Sequence, residues 1–169
     1  KFLLLAKECG VEVDEHALQT SLRHFYRYTG RGCVPYGDSM PEGGFVDNGK
    51  VGGLAFTMAA AASLTPEGES SIYAKARDIS AAKSFYTTSW MLHGHTGGGI
   101  GEIWRSSAMA LLYDSHPTKF REFVDNRTWH LDLSRRYNGA MTVLRDTDYS
   151  KGYDTEIWGS GYAMTYTVP

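Results

Sequence analysis

Helical segments built from small apolar residues alternate along this chain with helical segments that are more polar. The small-residue segments begin near Gly49, Gly98 and Thr155, so their starts lie 49 and 57 residues apart. A helix that is apolar almost all round is expected to be buried, whereas a helix with a polar face lies outside. Alternation of inner and outer helices is typical of stacked helical hairpins. The pattern predicts an all-α fold, an α/α toroid, in which residues 1–169 form a single domain or a segment of a larger toroid.

Glycine, proline and capping residues indicate where the helices begin and end. Gly10 and Gly30 follow the first two helical patterns, Asp14 precedes the second, and Pro117 opens a later one. Seven helices are predicted, over residues 2–8, 14–28, 49–64, 70–90, 98–113, 117–137 and 154–166. Inner helices separated by one outer helix run in the same direction, so their N-termini are predicted to meet at one end of the array.

Composition excludes some classes of partner. The chain has 17 basic and 19 acidic residues, a net charge of −2 and no basic stripe, so nucleic acid is not an expected partner. The longest apolar stretches, 54–64 and 108–113, are too short to span a bilayer, and no transmembrane segment is predicted. The chain opens at Lys1 inside a helical pattern, which suggests a processed chain or a segment of a larger parent protein.

The two cysteines, Cys9 and Cys33, are expected to be reduced thiols, with a single disulfide as the alternative. The cysteines therefore do not assign the protein to a cellular compartment, and the extracytoplasmic space is one candidate location.

The segment from His93 to Gly101 has five glycines in nine residues and leads directly into a helix. Glycine loses the most backbone freedom on folding, so such a run indicates a close approach of the backbone to a neighbour or a ligand. His93 and His95 are spaced to share a metal ion if Glu102, Asp38 or Asp47 supplies a third ligand. The alternatives are a histidine bound to a loop carbonyl, a histidine that contacts substrate, an anion at the helix start, and close helix packing.

Polar residues cluster in the long loop over residues 31–48. Two carboxylates, chosen from those of this loop together with Glu102 and Asp154, have the chemistry for glycoside hydrolysis or lyase-type proton abstraction. The loop carboxylates are Asp38, Glu42 and Asp47. Aromatic residues near the predicted helix starts are suited to a sugar or another flat polar ligand. The alternative is that the acidic and amide side chains act only as helix caps and turn formers.

Several short motifs resemble those of an uncharacterised bacterial family. They are Tyr36-Gly37-Asp38, Asn48-Gly49-Lys50 before an alanine-rich helix, His95-Thr96-Gly97 before a helix with Trp104, residues 127–136, and the closing stretches 153–155 and 166–169. That family is a domain of unknown function related in fold to the terpenoid cyclase and protein prenyltransferase α/α toroids. The resemblance implies a toroid and a larger parent protein, and it implies no known activity. The zinc ligands of the prenyltransferases and the aspartate-rich motif of the cyclases have no clear counterpart here.

The resulting prediction is a domain that binds a polar ligand, with a glycan as one candidate, where the inner-helix N-termini meet. The alternatives are a carbohydrate-active hydrolase or lyase that uses paired carboxylates, and a structural scaffold for protein interaction. The candidate catalytic residues are Asp38, His95 and Asp154, and the candidate ligand contacts are Tyr36, Asn48, Lys50, His93, Thr96, Glu102 and Trp104. No metal is assigned, and the cofactor is left open.

Overall fold

The computed structural model describes residues 1–31, 34–35, 49–86, 100–144 and 165. Within these residues the chain forms six α-helices and no strands, which confirms the predicted all-α class. The helices are α1 (Phe2–Glu8), α2 (Glu15–Tyr26), α3 (Lys50–Ser63), α4 (Ile72–Tyr86), α5 (Ile100–Ala110) and α6 (Pro117–Ser134). Each coincides with a segment expected from the sequence, and the predicted helix over 154–166 lies outside the described residues apart from Thr165.

Local sequence signals explain several helix ends. Gly10 follows α1 with a left-handed φ of 78°, a conformation that glycine adopts without a steric cost. The Asp14 carboxylate accepts a hydrogen bond from the Ala17 N–H at 3.0 Å and so caps α2. The Ser71 hydroxyl caps α4 in the same way, accepting from the Ala74 N–H at 3.1 Å.

The sixth helix ends earlier than the sequence predicts. It stops at Ser134 rather than at Tyr137, because Arg135 turns to extended backbone and forms an isolated bridge with Met141. Gly139 has a left-handed φ of 83°, which glycine adopts without a steric cost, and it lies in the turn between these two residues.

Helices α3 and α4 form an antiparallel hairpin. Ala61 near the end of α3 packs in one apolar cluster with Ala76 near the start of α4. Ala55, earlier in α3, packs in a second cluster with Ala81, later in α4. Alanine at these contacts lets the two backbones approach closely, as predicted for a buried helix rich in small residues.

Helices α3 and α5 run parallel and touch through glycine. A Cβ added to Gly49 would lie 2.6 Å from the Gly101 Cα, and one added to Gly52 would lie 2.3 Å from the Trp104 carbonyl oxygen. Successive positions of α3 thus meet successive positions of α5, and the two helices begin side by side. Close helix packing, one of the alternatives for the glycine-rich segment, is therefore observed at Gly101.

Helix α6 returns antiparallel to α5. The ring of Tyr113, just after α5, packs edge-on against Phe120 near the start of α6, with 5.2 Å between ring centroids. At the opposite end, Glu102 in the first turn of α5 bonds Arg127 further along α6. The starts of α3 and α5, the end of α4 and the second half of α6 therefore lie at one end of the array. None of the described helices is long and apolar enough to cross a membrane.

Candidate functional site

A buried carboxylate lies at the start of α5, between two arginines. Glu102 Oε2 accepts a hydrogen bond from Arg105 Nη1 at 3.0 Å, and Glu102 Oε1 accepts one from Arg127 Nε at 2.7 Å. The Glu102 and Arg105 side chains are 0% exposed, and that of Arg127 is 4% exposed. Ion pairs this deeply buried need good hydrogen-bond geometry, because removing charges from water is costly.

The arginines determine the charge state of Glu102. Burial by itself would raise the pKa of this carboxyl, but Arg127 and Arg105 outweigh burial through their charges and hydrogen bonds, so its pKa lies below the ordinary value. Glu102 is consequently an ionised anchor for two guanidinium groups. A group held in this state is poorly suited to act as a general acid.

His130 lies close to this network on the buried face of α6. Its side chain is fully buried, and its ring packs edge-on against Trp129 at 5.5 Å between centroids. Burial lowers the pKa of His130, the charge of Glu102 opposes that shift, and the charges of Arg127 and Arg105 reinforce it. The imidazole is therefore held neutral next to a charged cluster.

Arg127 connects the buried network to two cavities. Its guanidinium lies over the Phe123 ring at 4.0 Å, and its Nη1 donates to Asn126 Oδ1 at 2.9 Å. Its Nη2 is buried and has no hydrogen-bond partner among the residues that the structure describes. One cavity, of about 30 Å³, has room for about one water molecule. It is lined by Ser106, Phe120, Phe123, Val124, Arg127, Leu131 and Thr165.

The second cavity is an open cleft of about 340 Å³ between the end of α4 and α6. Phe85 and Tyr86 supply its aromatic wall, and Glu122, Asn126 and Arg127 supply its polar wall. This volume suits a small ligand, and the mixed lining suits one with both an apolar face and polar groups. We refer to it as the α4–α6 cleft.

Three of the ten predicted site residues lie within the described part of the chain. Glu102 is the buried anchor described above, and Lys50 is the half-buried first residue of α3. Trp104 is also half-buried; its ring faces Phe56 at 6.2 Å, and Lys1 Nζ lies 3.4 Å from its centroid. Contact of these three residues with a ligand stays a prediction.

The other seven predicted site residues lie outside the described residues. They are Tyr36, Asp38, Asn48, His93, His95, Thr96 and Asp154. The paired-carboxylate alternative draws on Asp38 and Asp154 of this set, on Glu42 and Asp47, which are likewise outside, and on Glu102, and it stays a prediction. Cys9 is a free, exposed thiol, and Cys33 lies outside the described residues. The described residues contain no group of three or more histidine, cysteine, aspartate or glutamate side chains placed to hold a metal ion.

Sequence reasoning missed Arg105, Arg127 and His130 as members of a buried polar cluster. A signal for Arg127 and His130 was present in α6, where the buried residues recur at spacings of three and four. The buried residues of this helix are Phe120, Phe123, Arg127, His130 and Ser134. An arginine and a histidine on the apolar face of a helix point to a buried partner, which here is Glu102, 25 residues before Arg127.

The fold and the cluster together define an all-α protein of packed helical hairpins with a buried arginine–carboxylate network at one end. The chain belongs to the DUF6288 family, a domain of unknown function whose profile matches residues 1–169. This membership confirms that the chain belongs to an uncharacterised domain family. No curated protein and no solved structure matches the chain.

Proposed function

We propose that this chain is a ligand-binding domain that holds a polar ligand, of the glycan class, at the end of the array where α3 and α5 begin. The observation that carries the proposal is the contact between Gly49 and Gly101, which brings the starts of two parallel helices together. Each helix N-terminus carries a positive partial charge from the aligned peptide dipoles, and it favours electron-rich ligand groups. Two adjacent helix starts place two such partial charges at one end of the array.

The α4–α6 cleft supports the same location. It combines two aromatic side chains with a carboxylate, an amide and a guanidinium, a combination that suits the apolar face and the hydroxyl groups of a sugar ring. The segments with Asp38 and His95 are joined in sequence to α3 and α5 at this end. We propose that they contribute the remaining contacts, with Asp154.

We further propose that the described helices are part of an α/α toroid related to the terpenoid cyclases and prenyltransferases. The support is the succession of an antiparallel α3–α4 hairpin, a helix α5 parallel to α3, and a helix α6 antiparallel to α5. Repetition of this unit around a ring would place all inner-helix starts at one end.

A saccharide array followed by calorimetric titration tests the binding proposal. We expect the domain to retain at least one saccharide, and we expect His95→Ala and Asp38→Asn to weaken its binding roughly tenfold or more, as for removal of a hydrogen bond to a charged group. The exposed His16→Ala in α2 and Glu67→Gln in the connection from α3 to α4 serve as matched controls, and they should bind as the parent does. Equal binding by all four variants would contradict the proposal.

A further inference from the structure

Arg127 is buried beneath the α4–α6 cleft with part of its hydrogen-bonding capacity unused. Its Nε is committed to Glu102 at 2.7 Å, and its Nη1 donates to Asn126 at 2.9 Å. Its Nη2 carries two N–H donors, and no described residue accepts from them. A buried charged donor without an acceptor costs more free energy than a neutral one does. An acceptor at Nη2 would therefore be stabilising.

Asn126, which lines the cleft, already supplies one acceptor to this guanidinium. Its side-chain oxygen Oδ1 accepts from one of the two terminal guanidinium nitrogens, as a carboxylate oxygen would, but it leaves the other terminal nitrogen unsatisfied. A carboxylate has two oxygens and engages both terminal nitrogens through parallel hydrogen bonds. Asn126 is exposed, so its side chain is free to rotate toward solvent when a better acceptor arrives.

The rest of the cleft restricts what else the ligand carries. Phe85 and Tyr86 offer aromatic surface, their rings nearly perpendicular at 83°. Lys119 Nζ lies at the same wall, 3.1 Å from the Tyr86 hydroxyl. Glu122 lines the opposite side and would repel a ligand with several negative charges, whereas it accepts hydrogen bonds from hydroxyl groups. The lining therefore favours one anionic group attached to a hydroxyl-rich ring.

We propose that the α4–α6 cleft binds a sugar acid whose carboxylate displaces Asn126 from Arg127 and takes both terminal nitrogens of the guanidinium. Glu102 holds Arg127 in place for this contact through Nε. The inference deepens the proposed function and rests on it for the saccharide part of the ligand, while the anion contact stands on Arg127 and Asn126 alone.

Titration with glucuronate and its uncharged methyl ester tests the carboxylate contact. The parent chain should bind glucuronate roughly tenfold or more tightly than the ester, as a charge-assisted pair requires. Asn126→Asp places a carboxylate of the chain itself on Arg127. This variant should lose glucuronate binding and melt at a higher temperature. Asn126→Ala removes the internal acceptor and should bind glucuronate at least as tightly as the parent.

The control for the added charge is Thr128→Asp, which alters an exposed residue of the same helix two positions from Asn126. It should bind glucuronate as the parent does. Equal affinity for glucuronate and the ester, or full glucuronate binding by Asn126→Asp, would overturn the inference. Inorganic phosphate that binds as tightly as glucuronate would overturn the assignment to a carboxylate.

Acetate separates this inference from the proposed function. If acetate binds as tightly as glucuronate and Asn126→Asp abolishes both, the anion contact is supported and the glycan proposal fails. If acidic and neutral saccharides bind equally and Asn126→Asp changes neither, the glycan proposal is supported and this inference fails.

Discussion

At the scale of single residues, burial decides what Glu102 and Glu69 contribute. Both carboxylates accept two hydrogen bonds from arginine: Glu69 from Arg77 at 2.7 and 2.8 Å, and Glu102 from Arg105 and Arg127. The Glu69 side chain is 77% exposed, however, whereas that of Glu102 is 0% exposed. Water competes with Arg77 for the exposed Glu69 carboxylate, but it does not compete with the arginines for the buried Glu102 carboxylate.

We expect Glu102→Gln to lower the free energy of unfolding by about 3–5 kcal/mol, because it removes the negative charge that Glu102 supplies to two buried guanidinium groups. The exposed Glu69→Gln is the matched control and should leave the denaturation midpoint nearly unchanged. Urea denaturation followed by circular dichroism measures both variants. Equal shifts in the two midpoints would mean that the buried network does not stabilise the fold.

At the scale of helices, glycine determines how closely α3 approaches α5. Gly52 and Gly53 are neighbours in α3, yet only Gly52 faces the partner helix: a Cβ there would overlap the Trp104 carbonyl, whereas a Cβ on Gly53 meets nothing within 4 Å. The two positions have the same intrinsic helix propensity and differ in tertiary contact. They therefore separate the contribution of packing from that of propensity.

We expect Gly52→Ala to destabilise the chain by about 1–3 kcal/mol or more, because backbone atoms of α5 must move to admit the methyl group. Gly53→Ala should instead stabilise it by up to about 1 kcal/mol, since alanine favours the helix more than glycine does. Thermal melting of the two variants beside the parent checks both signs. Destabilisation of similar size in both would contradict the glycine contact between α3 and α5.

At the scale of the whole molecule, the buried cluster makes stability depend on pH. His130 has a pKa lowered from 6.5 by burial, with Glu102 opposing and the arginines reinforcing the shift. The pKa of Glu102 is lowered from 4.5, since its arginine partners outweigh burial. In both cases the unfolded chain binds a proton at a pH where the folded chain does not, so acid favours unfolding.

The contribution of the two groups to stability should therefore be full above pH 6.5, fall as pH drops below 6.5 through His130, and fall further below 4.5 through Glu102. Denaturant midpoints measured from pH 8 down to about pH 4 test this order. The variant His130→Gln should reduce the slope of stability against pH between 6.5 and 4.5, whatever its effect on stability at neutral pH. An unchanged slope would mean that His130 does not take up a proton on unfolding.

Local sequence signals determined much of the secondary structure. The cap at Asp14, the proline at the start of α6 and the glycine after α1 act within a single turn of the chain, so their effect can be predicted without knowledge of the fold. The small residues of α3 likewise predicted a buried helix, since they leave no polar face. The all-α class follows from these signals.

Only the tertiary structure revealed the arginine partners of Glu102. The sequence places Glu102 near a glycine-rich helix start and predicts its contact with a ligand. The fold brings Arg127 to it from 25 residues away and excludes water from both. Burial and long-range pairing depend on how helices pack, which no local pattern specifies. The same packing leaves Arg127 beneath a cleft with one terminal nitrogen unsatisfied among the described residues.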